Sequence, residues 1–202
     1  MDAAPKSAVP GQATVAARRL RLMAFDVDGV LTDGRLYYSD EGVESKAFHV
    51  RDGSGLKMLR EAGIVLAVIT GRRARCVEHR MRDLGIEQLH QGIENKRSCM
   101  EALLRELGLK PEEAGFMGDD LIDLPVMRLC GFSAAPADAA PLARQQALWV
   151  TPHEGGRGAV RDVCEFILEA QGRLSAALSP WIANPPSGAS REHPDAKSGQ
   201  RG

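Results

Sequence analysis

The stretch LRLMAFDVDG, residues 20–29, decides the fold. An apolar run ends here in two aspartates and a glycine, which is typical of a buried strand followed by a polar turn. Four further apolar runs predict strands at residues 64–69, 113–117, 131–134 and 148–150. Helical patterns lie at residues 55–62, 75–84, 96–107, 125–129, 141–146 and 159–171. Because strands alternate with helices, the sequence predicts an α/β fold with a parallel sheet flanked by helices.

One segment interrupts this alternation. Residues 35–50 read RLYYSDEGVESKAFHV, in which two strand-like pieces flank Asp40, Glu41 and Gly42. A turn at these three residues predicts a short β-hairpin inserted after the first strand. The insertion leaves little room for a separate cap domain.

The two ends of the chain differ in composition from its middle. Residues 1–17 are rich in Ala, Pro, Ser and Gln, and residues 175–202 are rich in Pro, Ser, Gly and charged residues. Such segments bury too little apolar surface to fold alone, so we expect flexible tails at both ends. Residues 18–174 are then predicted to form one folded domain.

Composition excludes several classes of partner. The chain has 26 basic and 27 acidic residues, and only 4% of its residues are aromatic. This balance gives no reason to expect nucleic acid or an anionic membrane as a partner. The first residues lack an apolar signal segment, and no apolar run approaches the ~20 residues that span a bilayer. We therefore expect a cytoplasmic protein.

Polar side chains follow three of the predicted strands. In open α/β sheets, ligands bind beyond the carboxyl ends of the strands. One lysine at the start of a helix belongs to the same group. The residues concerned are Asp26, Asp28, Thr70, Lys96, Asp119, Asp120 and Asp123.

This acidic group predicts a magnesium site. Clustered carboxylates repel one another unless a cation neutralises them. The available ligands are all oxygen atoms, which favours a hard cation such as Mg²⁺. Asp119 is the expected distal ligand, while Asp120 and Asp123 orient metal-bound waters or Lys96.

The spacing of the first two aspartates suits phosphoryl transfer. Residues i and i+2 of an extended segment point to the same side. Asp26 can therefore attack phosphorus while Asp28 handles the proton on the leaving oxygen. Thr70 and Lys96 can hold the remaining phosphoryl oxygens. A calcium loop beginning at Asp26 is excluded, because its twelfth position would require Glu and is Tyr37.

These motifs resemble those of a known superfamily. DVDG at 26–29, Thr-Gly at 70–71, Lys96 and GDDLID at 118–123 resemble the four motifs of the haloacid dehalogenase superfamily of phosphohydrolases. The segments FDVDGVLTDG, FHVRDGSGLKML and GGRGAVRDVCEFILEAQGRL further resemble the 3-deoxy-D-manno-octulosonate 8-phosphate phosphatases. The resemblance covers residues 20–174.

The resemblance implies a function and an assembly. The fold would be Rossmann-like with no large cap domain. The enzyme would release phosphate from an eight-carbon acid sugar (Kdo 8-phosphate) during lipopolysaccharide synthesis, with a homotetramer closing each site. Magnesium would be held by Asp26, Asp119 and the backbone carbonyl of Asp28.

The resemblance also implies substrate contacts. Arginine and lysine suit a substrate that carries both a phosphate and a carboxylate. Besides Asp28, the matching positions are His49, Val50, Arg51, Asp52, Gly53, Arg72, Arg80, Lys96 and Arg157. Lys57, one helical turn past residues 49–53, is a further candidate.

Two alternative functions remain open at this point. A phosphatase for a nine-carbon, sialic-acid-type 9-phosphate would share the same motifs. A catalytically silent scaffold would keep the fold and the tetramer, but loss of Asp26, Asp28 or Lys96 would then be expected, and all three are present.

Overall fold

A computed structural model describes residues 10–182 of the chain. The strands are β1 (Leu22–Phe25), β2 (Tyr37–Tyr38), β3 (Glu44–Ser45), β4 (Val65–Thr70), β5 (Gln88–Gln91), β6 (Ala114–Met117), β7 (Phe132–Ala135) and β8 (Trp149–Val150). The helices are α1 (Pro10–Ala17), α2 (Val50–Glu61), α3 (Arg75–Leu84), α4 (Lys96–Leu107), α5 (Leu124–Met127), α6 (Pro141–Gln146), α7 (Ala159–Ala170) and α8 (Leu174–Ile182). Short 3-10 helices lie at Pro111–Glu113 and Leu121–Asp123. Within these residues, no helix is both long enough and apolar enough to cross a membrane.

Six strands form one parallel sheet in the order β5-β4-β1-β6-β7-β8. Strand β1 is central, and Phe25 pairs with Val68 of β4 and Met117 of β6. Because parallel strands end at the same edge, this register brings together the residues that follow Phe25, Ile69 and Met117. The predicted α/β fold with a parallel sheet is confirmed.

Each face of the sheet carries its own apolar core. Met23 and Phe25 point into a cluster that includes residues of α2 and α7. Leu22 and Ala24 point the other way, into a cluster that includes residues of α4 and α5. All four are buried, as expected for a strand covered on both faces. Helices therefore pack on both faces of the sheet, and this packing holds its carboxyl edge in a fixed position.

The predicted hairpin is present and small. Strands β2 and β3 pair antiparallel, with Tyr37 opposite Ser45 and Tyr38 opposite Glu44. They form a second, two-stranded sheet. A two-stranded hairpin is at best marginally stable in water by itself. Contacts with the rest of the chain must therefore hold it in place.

Three elements differ from the sequence prediction. Helix α2 begins at Val50, five residues earlier than predicted, so it absorbs most of the stretch expected to bind substrate. Strand β5 was not predicted, because its sequence QLHQ has no apolar run and its residues are all half-buried at the sheet edge. Helix α1 occupies residues expected to form a flexible tail.

The ends of the described chain pack against the domain. In α1, Ala13 and Ala17 are buried in the same cluster as residues of α7. In α8, Leu174 and Leu178 are partly buried against that cluster. The structure thus has packed helices at residues 10–17 and 174–182, where the sequence predicts flexible tails for nearly all positions. The remainder of both predicted tails, 1–9 and 183–202, lies outside the described residues.

Candidate active site

Asp26 lies immediately after the central strand. Its backbone N–H donates to the Met117 carbonyl at 3.0 Å, which continues the sheet ladder by one residue. The residue is 5% exposed, and its Oδ1 accepts a hydrogen bond from the Val27 N–H at 2.7 Å. Burial raises the pKa of Asp26 from 3.8 to about 6, against the opposing effect of the Lys96 charge. A buried carboxylate held in one orientation is suited to act as a nucleophile.

Lys96 is the first residue of α4 and points into the same site. The helix is capped by Asn95, whose side chain accepts from the Ser98 N–H at 3.0 Å. The Lys96 Nζ lies 2.8 Å from Asp26 Oδ2 and 2.6 Å from Asp123 Oδ1. Burial opposes its charge, but the two carboxylates outweigh this effect and raise the pKa of Lys96. The ammonium is therefore a fixed positive charge beside the predicted nucleophile.

Asp123 organises the loop that follows β6. It is fully buried, and its second oxygen, Oδ2, accepts from the backbone N–H groups of Asp119 at 3.1 Å and Asp120 at 3.3 Å. Both oxygens of Asp123 thus have protein partners, and its supporting role stays a prediction. Asp120 is exposed, and its Oδ1 accepts from the Leu121 N–H at 2.7 Å, where it caps a 3-10 helix.

Asp119 has an unmatched oxygen. Its Oδ1 is buried and has no hydrogen-bond partner. Burial, followed by the charge of Asp26, raises the pKa of Asp119 from 3.8 to about 7. An oxygen from each of Asp26, Asp119 and Asp123 lies within 4.8 Å of the others. A divalent cation at this point would coordinate the Asp119 oxygen and offset the repulsion among the three carboxylates. These residues therefore fit the predicted magnesium site.

Thr70 completes the sheet edge beside Asp26. It ends β4 two residues beyond Val68, the partner of Phe25, and is 2% exposed. Its carbonyl accepts from the Ile93 N–H at 3.0 Å, which fixes the turn after the strand. The predicted phosphate-holding group therefore lies at the same edge as the predicted nucleophile.

The loop after Asp26 is closed by a segment far along the chain. The Gly156 N–H donates to the Val30 carbonyl at 2.9 Å. A side chain at Gly155 would collide with the Gly29 carbonyl, and one at Gly29 would collide with the Asp119 carboxylate. Gly29 also has φ = +83°, a conformation that other residues rarely adopt. Glycine is therefore required where these backbones approach.

Asp28 is contacted from the hairpin. The Lys46 Nζ binds Asp28 Oδ1, and the Lys46 side chain is only 1% exposed. Sequence reasoning missed Lys46, because its partner lies 18 residues earlier and nothing local marks the pair. The available signal was the spacing of Glu44 and Lys46, since residues i and i+2 of a strand share one side.

A chain of polar contacts continues from Lys46 across the hairpin. Glu44 Oε1 lies 2.7 Å from the Lys46 Nζ, and Glu44 Oε2 accepts from the Arg72 Nη2 at 2.9 Å. The same Arg72 nitrogen lies 2.6 Å from the Tyr38 hydroxyl. The Arg72 hydrogen bond is the main cause of a lowered pKa at Glu44. Arg72 was predicted to bind substrate, and here it joins the hairpin to the turn after β4.

The predicted substrate-binding stretch at residues 49–53 lies at the start of α2. His49 is the residue before the helix, and Val50 and Arg51 are exposed. Asp52 turns inward, where its Oδ1 accepts from the Arg161 N–H at 2.9 Å at the start of α7. Burial raises the pKa of Asp52. Asp52 is therefore hydrogen-bonded to α7, and its Oδ2 also lies 3.9 Å from the His49 Nδ1. Its substrate role stays a prediction.

The remaining predicted contacts are spread over two helices and a loop. The Arg80 guanidinium carbon lies 5.8 Å from the centre of the Phe48 ring and packs close to Gly53. Lys57 is exposed on α2. Arg157 lies 3.4 Å from Glu154 in its own loop, and both side chains are 57% exposed. The substrate roles of these residues also stay predictions.

Comparison with known proteins identifies the family to which this chain is related. A family model described as haloacid dehalogenase-like hydrolase matches residues 48–131. The 3-deoxy-D-manno-octulosonate 8-phosphate phosphatase KdsC of Escherichia coli K12 is 50% identical over 161 residues, which cover 80% of this chain and 86% of that protein.

Solved structures extend the comparison to three dimensions. The 3-deoxy-D-manno-octulosonate 8-phosphate phosphatase of Yersinia pestis has a TM-score of 0.80 and 48% identity, over 81% of this chain and 89% of that one. The phosphatase of the same name from Moraxella catarrhalis, solved with a magnesium ion, a phosphate ion and a KDO molecule, has a TM-score of 0.82 and 40% identity. That match covers 83% of this chain and 97% of the other. The chain therefore belongs to the 3-deoxy-D-manno-octulosonate 8-phosphate phosphatase family of the haloacid dehalogenase-like hydrolases.

Proposed function

We propose that this chain hydrolyses 3-deoxy-D-manno-octulosonate 8-phosphate to the free sugar and phosphate. The reaction depends on Mg²⁺, passes through an aspartyl-phosphate and supplies lipopolysaccharide precursor synthesis in the cytoplasm. The observation that carries this proposal is the buried Asp26, which lies against Lys96 and near the unmatched oxygen of Asp119. Family membership at 50% identity supports the choice of substrate.

The residues that would hold Mg²⁺ are Asp26, Asp119 and, through its backbone carbonyl, Asp28. When bound, Mg²⁺ supplies charge neutralisation for the phosphate and for the crowded carboxylates. Asp123 is the third member of the acidic group, but both of its oxygens already have protein partners. Its role is to hold Lys96 and the loop that carries Asp119.

The first chemical step transfers the phosphoryl group to the protein. The carboxylate of Asp26 forms a bond to phosphorus, and the bond from phosphorus to the sugar oxygen breaks. Asp28, in its carboxylic acid form, gives its proton to the departing sugar oxygen. Lys96 and Thr70 bind the equatorial phosphoryl oxygens and stabilise the negative charge that these oxygens carry during the transfer.

The second step releases phosphate. A water molecule attacks phosphorus, and Asp28, now a carboxylate, accepts the proton of that water. The bond from phosphorus to Asp26 breaks, which regenerates the free carboxylate. Asp28 therefore serves as acid and then as base, so its orientation matters in both steps.

The hairpin supports the proposal that the chain assembles as a homotetramer. Five apolar side chains on or beside the hairpin are exposed: Leu36, Tyr37, Tyr38, Val43 and Val50. A concentrated apolar surface of this kind is typical of a protein–protein interface. A neighbouring subunit at this position would cover the site and exclude water, in place of a cap domain. Sedimentation velocity tests this arrangement, and a monomer at micromolar concentration would contradict it.

The first test of function is phosphate release from Kdo 8-phosphate, with and without Mg²⁺. A panel of other sugar phosphates, including a nine-carbon 9-phosphate, should be assayed beside it. We expect rapid release from the eight-carbon ester only, and only with Mg²⁺. Preference for the nine-carbon ester would replace the substrate but keep the mechanism, whereas no release from any ester would contradict the proposed function.

A further inference from the structure

Lys46 is a buried cation whose charge is shared between two carboxylates. Its side chain is 1% exposed, while those of its partners Asp28 and Glu44 are 20% and 12% exposed. A buried ammonium loses its hydration and needs partners of opposite charge to remain stable. Water cannot replace Asp28 and Glu44 as the partners of Lys46. Lys46 is therefore fixed in place with its Nζ against Asp28 Oδ1.

Glu44, the second partner of Lys46, is linked to the carboxyl edge of the main sheet. Glu44 binds Lys46 through Oε1 and Arg72 through Oε2, at 2.7 Å and 2.9 Å. Arg72 follows Thr70 by two residues, in the turn after β4. The four side chains carry two positive and two negative charges in alternation. Asp28 is thus connected through the hairpin to a turn of the main sheet.

We infer that Lys46 is a positioning residue, which holds the Asp28 carboxylate in the orientation needed for proton transfer. This inference rests on the proposed function. Because Nζ binds Oδ1, the other oxygen of Asp28 is left to carry the transferred proton. The hairpin then contributes to catalysis through one lysine that orients Asp28, in addition to its apolar surface.

The inference predicts a selective defect. A sugar alkoxide is a poor leaving group and needs a proton from Asp28, whereas the 4-nitrophenolate of 4-nitrophenyl phosphate leaves without one. Misaligning Asp28 should therefore slow phosphoryl transfer from the sugar ester and leave transfer from the aryl ester almost unchanged. A general loss of structure would slow both.

The experiment compares first-turnover rates for the two esters at saturating substrate and Mg²⁺, by rapid quench and stopped flow. For Lys46→Met, we expect the sugar ester to be slower by roughly 10- to 100-fold, a part of the ~10²–10⁴-fold that general acid catalysis contributes. The aryl ester should change less than about 3-fold, since it needs no proton donor. Lys46→Arg keeps the charge and should recover part of the sugar-ester rate. Lys46→Gln, which keeps a polar head and similar length, should reproduce the selective defect even if Lys46→Met is poorly folded.

Two controls make the outcome decisive. Lys110→Met removes an exposed lysine and should leave both rates unchanged. Asp28→Asn removes the proton donor itself and should show the same selectivity in a stronger form. If Asp28→Asn slows both esters equally, the proposed role of Asp28 fails and the inference on Lys46 fails with it. If Asp28→Asn is selective while the Lys46 variants slow both esters equally or neither, only the inference on Lys46 is overturned.

Discussion

Two buried lysines serve the two aspartates of the DVD motif, and they are held in different ways. Lys96 lies between Asp26 and Asp123, on elements fixed by the central sheet. Lys46 lies between Asp28 and Glu44, on a hairpin whose strands have two residues each. The site therefore combines a proposed nucleophile supported by the core with a proposed proton donor supported by side-chain ion pairs. The comparison indicates that covalent attack and proton transfer can be disturbed separately.

The largest effect should come from removing the proposed nucleophile, Asp26, on the core side. Asp26→Asn should lower turnover by on the order of 10⁴-fold or more, because an amide cannot form the acyl-phosphate. Steady-state phosphate release measures this, with circular dichroism to verify the fold. Glu106→Gln, which neutralises an exposed carboxylate of α4, is the matched control and should keep full activity. Normal turnover by Asp26→Asn would exclude the proposed mechanism.

The two lysines should differ in their effect on stability. Lys96→Met leaves Asp26 and the fully buried Asp123 without a counter-charge, so we expect the free energy of unfolding to fall by about 3–5 kcal/mol. Lys46→Met leaves two carboxylates that water can reach, so a loss of roughly 1 kcal/mol is expected. Urea unfolding of both variants in metal-free buffer measures the difference. Equal losses would mean that the Lys46 ion pairs contribute as much to the free energy of unfolding as the Lys96 ion pairs do.

The carboxylates on the core side should make Mg²⁺ stabilisation depend on pH. The pKa values of Asp26 and Asp119 are raised from 3.8 to about 6 and about 7. A raised carboxyl pKa gives stability that is complete below the unfolded value and is lost as pH rises through the folded value. Metal-free protein should therefore lose the contribution of these groups between about pH 4 and pH 7.

Mg²⁺ binds the ionised carboxylates, so the increase in melting temperature on adding it should be larger at pH 8 than at pH 5. Differential scanning fluorimetry at both values tests this, with Asp119→Asn as the variant in which the increase should shrink. An increase that is the same at both pH values would argue against these two residues as ligands.

The smallest effect should appear at the outer end of the hairpin network. Tyr38→Phe removes the hydroxyl 2.6 Å from Arg72, at a residue that is 56% exposed. We expect sugar-ester turnover to fall by less than about 3-fold, because an exposed hydrogen bond contributes only ~0.5–1.5 kcal/mol. Tyr37→Phe, at the neighbouring exposed position, should have no effect. A large loss in Tyr38→Phe would mean that its hydroxyl contacts substrate.

The sequence was most informative about candidate site residues that lie at or just after the ends of strands. Asp26, Thr70 and Asp119 could be placed at one edge because each follows an apolar run, and parallel strands end together. Lys96 could be added because it begins a helix beside the same edge. These positions follow from periodicity, which a single sequence displays directly.

The features that were missed depend on contacts between distant segments. Strand β5 has no apolar run, and its position at the sheet edge is set by pairing with β4. Helix α1 has a composition typical of a tail, and only its packing against the cluster around α7 makes it part of the domain. Lys46 became visible only once the hairpin was placed over Asp28. Local patterns do not identify these partners, because each feature is decided by a residue or segment elsewhere in the chain.

The contact between Gly156 and Val30 has a consequence for the order of synthesis. The loop that carries Asp26 is synthesised before the backbone group that closes it, which comes more than 120 residues later. Asp26, Asp28 and even Lys96 can therefore have left the ribosome while the loop between them still lacks its final support. Translation must pass residue 156 before the loop can adopt its closed form, so the proposed catalytic geometry depends on a segment that is synthesised after all of these side chains.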